Sequence, residues 1–235
     1  MITRIYLEVT SLCNYKCVYC PHPVMKRKKE HIRWESACNA LQQIARDRIG
    51  EHVHLNYLGE PLLYPRLFEL ITLADSLGLS THIITNGSLL HRENIRHIRA
   101  TALCDIKISY ETPNEKTFAL RRNSQFTSDR ILQNILNTVD ALKHTDKKIG
   151  LIFMTTLPGQ KKAIENIEII TSMPQLKYEI RKLFDLVTLV IRVEKQVDKI
   201  QVVITKTLGI GLLILSPTPY PAAGHAHSYS SEIFC

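Results

Sequence analysis

No stretch of this 235-residue sequence approaches the roughly 20 apolar residues that span a bilayer. The longest apolar run, residues 208–215, is short and carries two glycines. The opening Met-Ile-Thr-Arg-Ile-Tyr has no apolar core of the signal-peptide kind, so a cytoplasmic protein with no membrane partner is expected. Two nucleotide-binding fingerprints are missing as well. No G-x-G-x-x-G follows the first strand-like segment, and no G-x-x-x-x-G-K-[ST] occurs anywhere, which removes the usual signals for dinucleotide and P-loop chemistry. Internal repeats and extended low-complexity tracts are absent too.

What is present is ordinary in bulk and unusual in one place. A hydrophobic fraction of 45% argues against overall disorder, and the length suits one sizeable core. The formal charge of +8 favours an acidic partner: a nucleic acid, a peptide or a phosphorylated metabolite. The one dense basic run, Lys26-Arg27-Lys28-Lys29, reads either as a solvated loop or as a docking site for an acidic substrate. Of six cysteines, Cys13, Cys17 and Cys20 crowd into eight residues, while Cys38, Cys104 and Cys235 stand alone. With no secretory signal, such clustering points to metal or catalytic chemistry rather than disulfides. Cys38 and Cys104 are expected to be small buried hydrophobes. His225-x-His227 with Cys235 reads as adventitious metal binding rather than a formed site.

Strand-like and helix-like patterns alternate through the first two-thirds. Ile5, Leu7 and Val9 alternate with polar neighbours as a strand does. Residues 52–58, 81–85, 105–110 and 149–155 read as further strands. Residues 65–77, 91–99, 128–142 and 161–171 read as helices, the first opening on a proline. Asn86-Gly87-Ser88 is a turn signal between the third strand and its helix. This alternation predicts an α/β fold of parallel strands with crossover helices, in a barrel or an open sheet. Past residue 173 the pattern deteriorates; 186–193 and 200–204 look like strands, and the tail from 216 reads as loop.

The cysteines follow the first strand in the run Thr10-Ser11-Leu12-Cys13-Asn14-Tyr15-Lys16-Cys17-Val18-Tyr19-Cys20-Pro21. Thiolates are the standard ligands of iron–sulfur clusters, and three on one loop would leave one iron of a cubane open to a small molecule. A structural zinc site wants four closed ligands, for which only the nearby His22 offers itself. Buried reduced cysteines are the third alternative.

This C-x3-C-x2-C motif, with an aromatic residue before its last cysteine, resembles the signature of the radical S-adenosylmethionine (radical SAM) superfamily. The resemblance runs from about residue 5 to 171. It extends to Gly59-Glu60-Pro61 after the second strand, similar to the segment whose backbone receives the substrate's amino group. Thr85-Asn86-Gly87 resembles the segment that meets the ribose hydroxyls. Ser109 and Arg122 fall where relatives place partners of the carboxylate, and Tyr19 where an aromatic ring packs between cluster and adenine. The resemblance implies a partial (β/α)6 barrel of the TIM type with outer helices and an irregular C-terminal tail. It implies a [4Fe–4S] cluster on Cys13, Cys17 and Cys20, S-adenosylmethionine as second cofactor, and an external electron donor of the ferredoxin or flavodoxin type. Reductive cleavage of S-adenosylmethionine would yield a 5′-deoxyadenosyl radical that takes hydrogen from a peptide or small metabolite.

The pattern is most similar to the SPASM-containing branch, yet only Cys235 follows Cys104, too few cysteines for a complete SPASM domain. The expected organisation is a radical SAM core at 1–183 and a poorly defined segment at 184–235. That segment would carry the last core strand and the start of a truncated auxiliary domain. Two rivals remain: a non-catalytic remnant that keeps the core motifs, and a zinc module that contacts nucleic acid through the basic run.

Overall fold

The computed structural model describes residues 4–111, 115–123, 125–155 and 177–182, and strand segments at 190–191, 196–197, 200–207 and 210–216. Six parallel strands form its centre: β1 (Arg4–Leu7), β2 (His52–His54), β3 (Ser80–Thr85), β4 (Leu103–Glu111), β5 (Lys148–Thr155) and β6 (Lys177–Lys182). They neighbour one another in chain order. Each parallel step needs a crossover, and the described crossovers contain α1 (Trp34–Arg46), α2 (Leu67–Ser76), α3 (Arg92–Ala100) and α5 (Ser128–Leu142). A short turn of helix, α4 (Glu115–Phe118), precedes α5. This is the α/β arrangement of parallel strands with crossover helices that the sequence leads one to expect.

The core lies between sheet and helices, and the apolar periodicities account for it. Ile5, Leu7, Val53, Ile83, Ile106 and Ile108 bury one face of the strands. Against them α2 turns Leu67, Leu70, Ile71 and Ala74, and α5 turns Ile131, Ile135, Val139 and Leu142. Thr127 caps α5, its side chain accepting from the Arg130 N–H at 3.2 Å. None of the described helices is long and apolar enough to cross a membrane.

Three elements depart from expectation. Helix α1 is absent from the sequence reading because its buried stripe is Ala37, Ala40, Leu41 and Ile44, two of them alanines that barely register as apolar. The second strand ends at His54 rather than running to 58. Beyond it the Asn56 Oδ1 accepts the Ile84 N–H at 2.9 Å, taking the place of a backbone carbonyl and releasing the chain from the ladder. The apolar run at 208–215 is largely strand: β10 (Ile210–Ser216) pairs parallel with β1 and antiparallel with β9 (Ile200–Thr207). Two short strands, β7 (Val190–Ile191) and β8 (Gln196–Val197), pair with β9, so the sheet continues past residue 183. The loop expected from 216 is contradicted at Ser216, which ends β10; the helix expected at 161–171 and the rest of the tail, with Cys235, lie outside the described residues.

The basic run also resolves into different parts. Arg27 is buried, its guanidinium gripping both carboxylate oxygens of the fully buried Glu8, at 2.6 Å for the first. Lys28 stays in solvent, paired with Glu30 at 2.7 Å. The run is therefore neither a purely solvated loop nor an intact docking patch. Cys104 is exposed and Cys38 half-buried, so neither is the buried hydrophobe expected.

Candidate active site

The sites expected from sequence converge at the carboxyl edge of the first four strands, where active sites of α/β barrels form. Glu60 is the hub. Its side chain is buried, with one carboxylate oxygen accepting from Thr85 Oγ1 at 2.7 Å and from the Leu62 N–H at 3.2 Å. The other accepts from the Asn86 N–H at 2.7 Å. Its own N–H donates to the Leu12 carbonyl at 2.8 Å, fastening the cysteine loop to the turn after β2. Burial pushes the Glu60 carboxyl up to about 6, with the Asn86, Thr85 and Leu62 donors and the Arg121 charge pulling the other way. Pro61 opens the short 3-10 turn that follows, at a position where its missing N–H costs nothing.

Gly59 owes its identity to a close approach. A Cβ there would stand 2.1 Å from the Thr10 carbonyl oxygen and 2.8 Å from that of Leu12, inside the loop's backbone. Gly87 has a different reason, a φ of +82° after β3, which an L side chain adopts with strain.

Asn86 is committed on every side. Its Oδ1 accepts from the Ser88 N–H and hydroxyl at 2.9 and 2.6 Å, and its Nδ2 donates to Asn14 Oδ1 at 2.8 Å. Asn14 in turn donates to Ser88 Oγ at 2.8 Å. Asn86 is thus a brace between the turn after β3 and the cysteine loop. Asn14 and Ser88 lie inside the two motifs quoted from sequence, but their mutual pairing leaves no local signal.

Among the described residues Arg121, rather than Arg122, is hydrogen-bonded into this network. Arg122 is exposed, on backbone with φ +43°. Arg121 is buried, donating to the Ser109 carbonyl at 2.8 Å and the Asn86 carbonyl at 3.3 Å, with its guanidinium 4.5 Å above the Tyr15 ring. Its own carbonyl accepts from the Lys16 N–H at 3.3 Å, so this segment also holds the cysteine loop. Which of two adjacent arginines turns inward depends on backbone that sequence pattern does not reveal. Ser109 is half-buried and enters the network through its carbonyl. Tyr19 is half-buried, whereas Tyr15 is the enclosed aromatic, edge-on to Phe118 with centroids 6.4 Å apart.

The cysteine sulfurs sit within electrostatic reach of one another. Burial first, then Glu60, raises the Cys13 thiol to about 12; Cys17 and Cys20 add to the shift, and the Tyr15 N–H at 3.4 Å from its sulfur opposes it. Cationic metal reverses such a shift by holding the thiolate. Among the described residues, no three His, Cys, Asp or Glu side chains are grouped to hold a single metal ion. His22, the only neighbour offered as a fourth zinc ligand, turns its Nε2 to the Ser11 carbonyl at 2.9 Å. A cubane needs less convergence, because its ligands spread over separate irons. The donor set of three thiols with N–H groups on Cys13, and a buried Tyr15 hydroxyl with no hydrogen-bond partner among the described residues, fit such a cluster.

Comparison with known proteins settles the family. The model of the Radical SAM superfamily matches residues 7–170. The chain belongs to the radical SAM superfamily. Over 112 residues it is 31% identical to PqqA peptide cyclase of Bradyrhizobium diazoefficiens, covering 47% of this chain and 29% of that protein. Over 129 residues it is 27% identical to AdoMet-dependent heme synthase of Methanosarcina barkeri, covering 54% and 36%. The chain thus spans about a third of the length of these curated relatives. In structure it resembles Streptococcus suis SuiB bound to precursor peptide SuiA, with TM-score 0.62, 15% identity, and coverage of 80% of this chain and 40% of that one. It likewise resembles anSMEcpe with bound AdoMet, with TM-score 0.62, 14% identity, and coverage of 83% and 55%. The cofactors of this superfamily are a [4Fe–4S] cluster and S-adenosylmethionine.

Proposed function

We propose that this radical SAM chain is an enzyme that cleaves S-adenosylmethionine reductively and modifies a peptide by hydrogen abstraction. Cys13, Cys17 and Cys20 hold the cluster; Glu60, Thr85, Asn86, Ser109 and Arg121 shape the S-adenosylmethionine site. When bound, these cofactors supply an electron, drawn from an external ferredoxin- or flavodoxin-type donor, and the 5′-deoxyadenosyl radical it releases. The protein's work is to bind, orient and exclude water. Residues 1–183 act as the core and 184–235 as a C-terminal segment, whose strand β10 pairs with β1.

The observation that carries this reading is the position of Glu60, whose N–H holds the cysteine loop while its carboxylate holds the turn after β3. One buried side chain thereby fixes two cofactor segments to each other. The Gly59-Glu60 segment would present backbone to the amino group of S-adenosylmethionine. Arg121 would supply positive charge toward its carboxylate, in place of the exposed Arg122. Peptide is preferred over small metabolite because PqqA peptide cyclase and peptide-bound SuiB are among the similar proteins.

The test is anaerobic purification, reconstitution with iron and sulfide, and assay of iron and 5′-deoxyadenosine with S-adenosylmethionine and dithionite. About four irons per chain are expected, falling to background in Cys17→Ala. A cluster that never cleaves S-adenosylmethionine would favour the non-catalytic remnant, and zinc without iron would overturn the assignment. A second measurement separates the arginines. Arg121→Ala should weaken S-adenosylmethionine binding at least about tenfold, as loss of a buried charged partner does, while Arg122→Ala leaves it unchanged.

A further inference from the structure

A groove of about 540 Å³ runs between α3 and α5, with no residue of the cysteine loop in its lining. Arg92, Arg96 and Arg99 of α3 and Arg130 of α5 line it, over an apolar floor that includes Leu90, Ile95 and Ala141. All four arginines are exposed, and no ion pair or hydrogen bond among the described residues engages their guanidinium groups. Four exposed guanidinium groups around one depression make a positive local field that favours an acidic occupant. Glu93 and Asp129 are exposed on the same two helices but do not line the groove. The start of α3, at His91 and Arg92, adds the positive end of its helix dipole.

We propose that this groove docks an acidic peptide segment, and specifically the recognition segment of the peptide substrate; only the second half of that statement rests on the peptide-modifying reading. Arg92, Arg96 and Arg99 follow at helical spacing, so their stems form one stripe about 10 Å long. Acidic residues spaced along one face of a docked segment would meet that stripe through bidentate guanidinium–carboxylate pairs. Inorganic anions would use the arginines but leave the apolar floor wet, whereas an amphipathic peptide covers both. The lining holds no Phe, Tyr or Trp ring on which bases could stack, only the His91 imidazole at one end, which disfavours single-stranded nucleic acid. The groove also touches the cofactor end of the molecule. Asn134 in its wall donates to the Gly87 carbonyl at 3.0 Å, and Leu90 in its floor follows the same turn. A segment seated here would pack against Asn134 and Leu90, which adjoin the turn after β3.

Fluorescence anisotropy of the full chain with a labelled amphipathic peptide, glutamates at helical spacing, tests the proposal. Its controls are the same peptide with glutamine, a labelled single-stranded RNA, and inorganic phosphate as competitor. The glutamate peptide should bind, weaken as salt rises, and lose at least about tenfold in affinity with Arg96→Glu combined with Arg99→Glu. Both arginines are exposed and outside the cofactor site, so S-adenosylmethionine cleavage without peptide should be unchanged, which also certifies the fold. Equal binding of the glutamine peptide would overturn the proposal, as would indifference to the charge reversal. Tighter binding of RNA with the same sensitivity would reassign the groove to nucleic acid, and full displacement by phosphate would reassign it to small anions. Binding does not need the cluster, so failure here is distinct from failure to cleave S-adenosylmethionine.

Discussion

Gly59→Ala should abolish cluster incorporation and destabilise the chain by about 3 kcal/mol, the upper range for a forced steric insertion. The added methyl would stand 2.1 Å from the Thr10 oxygen and 2.7 Å from its carbonyl carbon. Thr10 cannot give way cheaply. Its hydroxyl accepts the Leu12 N–H at 3.0 Å, and the residues on either side are bonded across to the strand-like stretch at 30–32, Ile32 N–H to Val9 at 2.9 Å and Ser11 N–H to Glu30 at 2.9 Å. The other partner would have to move instead, and with it the Glu60 N–H that holds Leu12. Either way the cysteine loop parts from the turn after β2. Gly78→Ala is the control. Gly78 is a positive-φ glycine, at +75°, which Gly59 is not, and no atom lies within 4 Å of its added Cβ. It should cost about 1 kcal/mol of backbone strain and leave the iron content intact. Iron per chain and urea unfolding read both variants, and a Gly59→Ala protein that loads iron normally would sink the account of this contact.

The periodic elements were legible because burial on one face writes itself into the sequence. Helix α5 spans the residues its stripe of Ile131, Ile135, Val139 and Leu142 predicts, and β3 and β5 begin only one residue earlier than expected. Elements whose signal is not a strong apolar period were lost. Helix α1 hides behind alanines, and β6 alternates Tyr178 and Ile180 with charged residues in the manner of an edge strand. Residues 210–216 show no alternation and read as one apolar run, although they form a strand between β1 and β9.

The site divides in the same way. Segments bearing glycine, proline or cysteine announce themselves, because each answers a backbone or ligand requirement at one position. Pairings between segments do not. The ladder Tyr6–His54–His82–Asp105 crosses four neighbouring strands in register, with Tyr6 and His54 stacked at 4.8 Å and His54 on His82 at 4.8 Å. Burial, then the neighbouring His82, pushes the His54 imidazole down to about 3, so this polar face of the sheet is uncharged at His54 in neutral solution. Nothing in the four local sequences marks these residues as neighbours; only the register does.

Arg27→Ala should destabilise the protein by about 3–5 kcal/mol, the range for removing one partner of a buried ion pair. Lys28→Ala, one residue away in the same basic run, should cost at most about 1 kcal/mol. The contrast follows from burial: the Arg27 and Glu8 side chains are 2% and 0% exposed, whereas that of Lys28 is 77% exposed. Without Arg27 the Glu8 carboxylate would keep the Leu58 N–H at 3.3 Å but lose its counter-charge in a site closed to water. Leu58 immediately precedes Gly59, so strain there reaches the loop that carries Glu60, and iron loading should fall together with stability. Replacing both partners, as Arg27→Met with Glu8→Leu, should restore most of the loss, since apolar side chains of similar length need no compensation. Equal effects of Arg27→Ala and Lys28→Ala in urea unfolding would mean that the run is solvated throughout. A large Arg27 effect that the double replacement relieves would mean that one residue of a seemingly solvated patch is a structural counter-ion beneath the cofactor site.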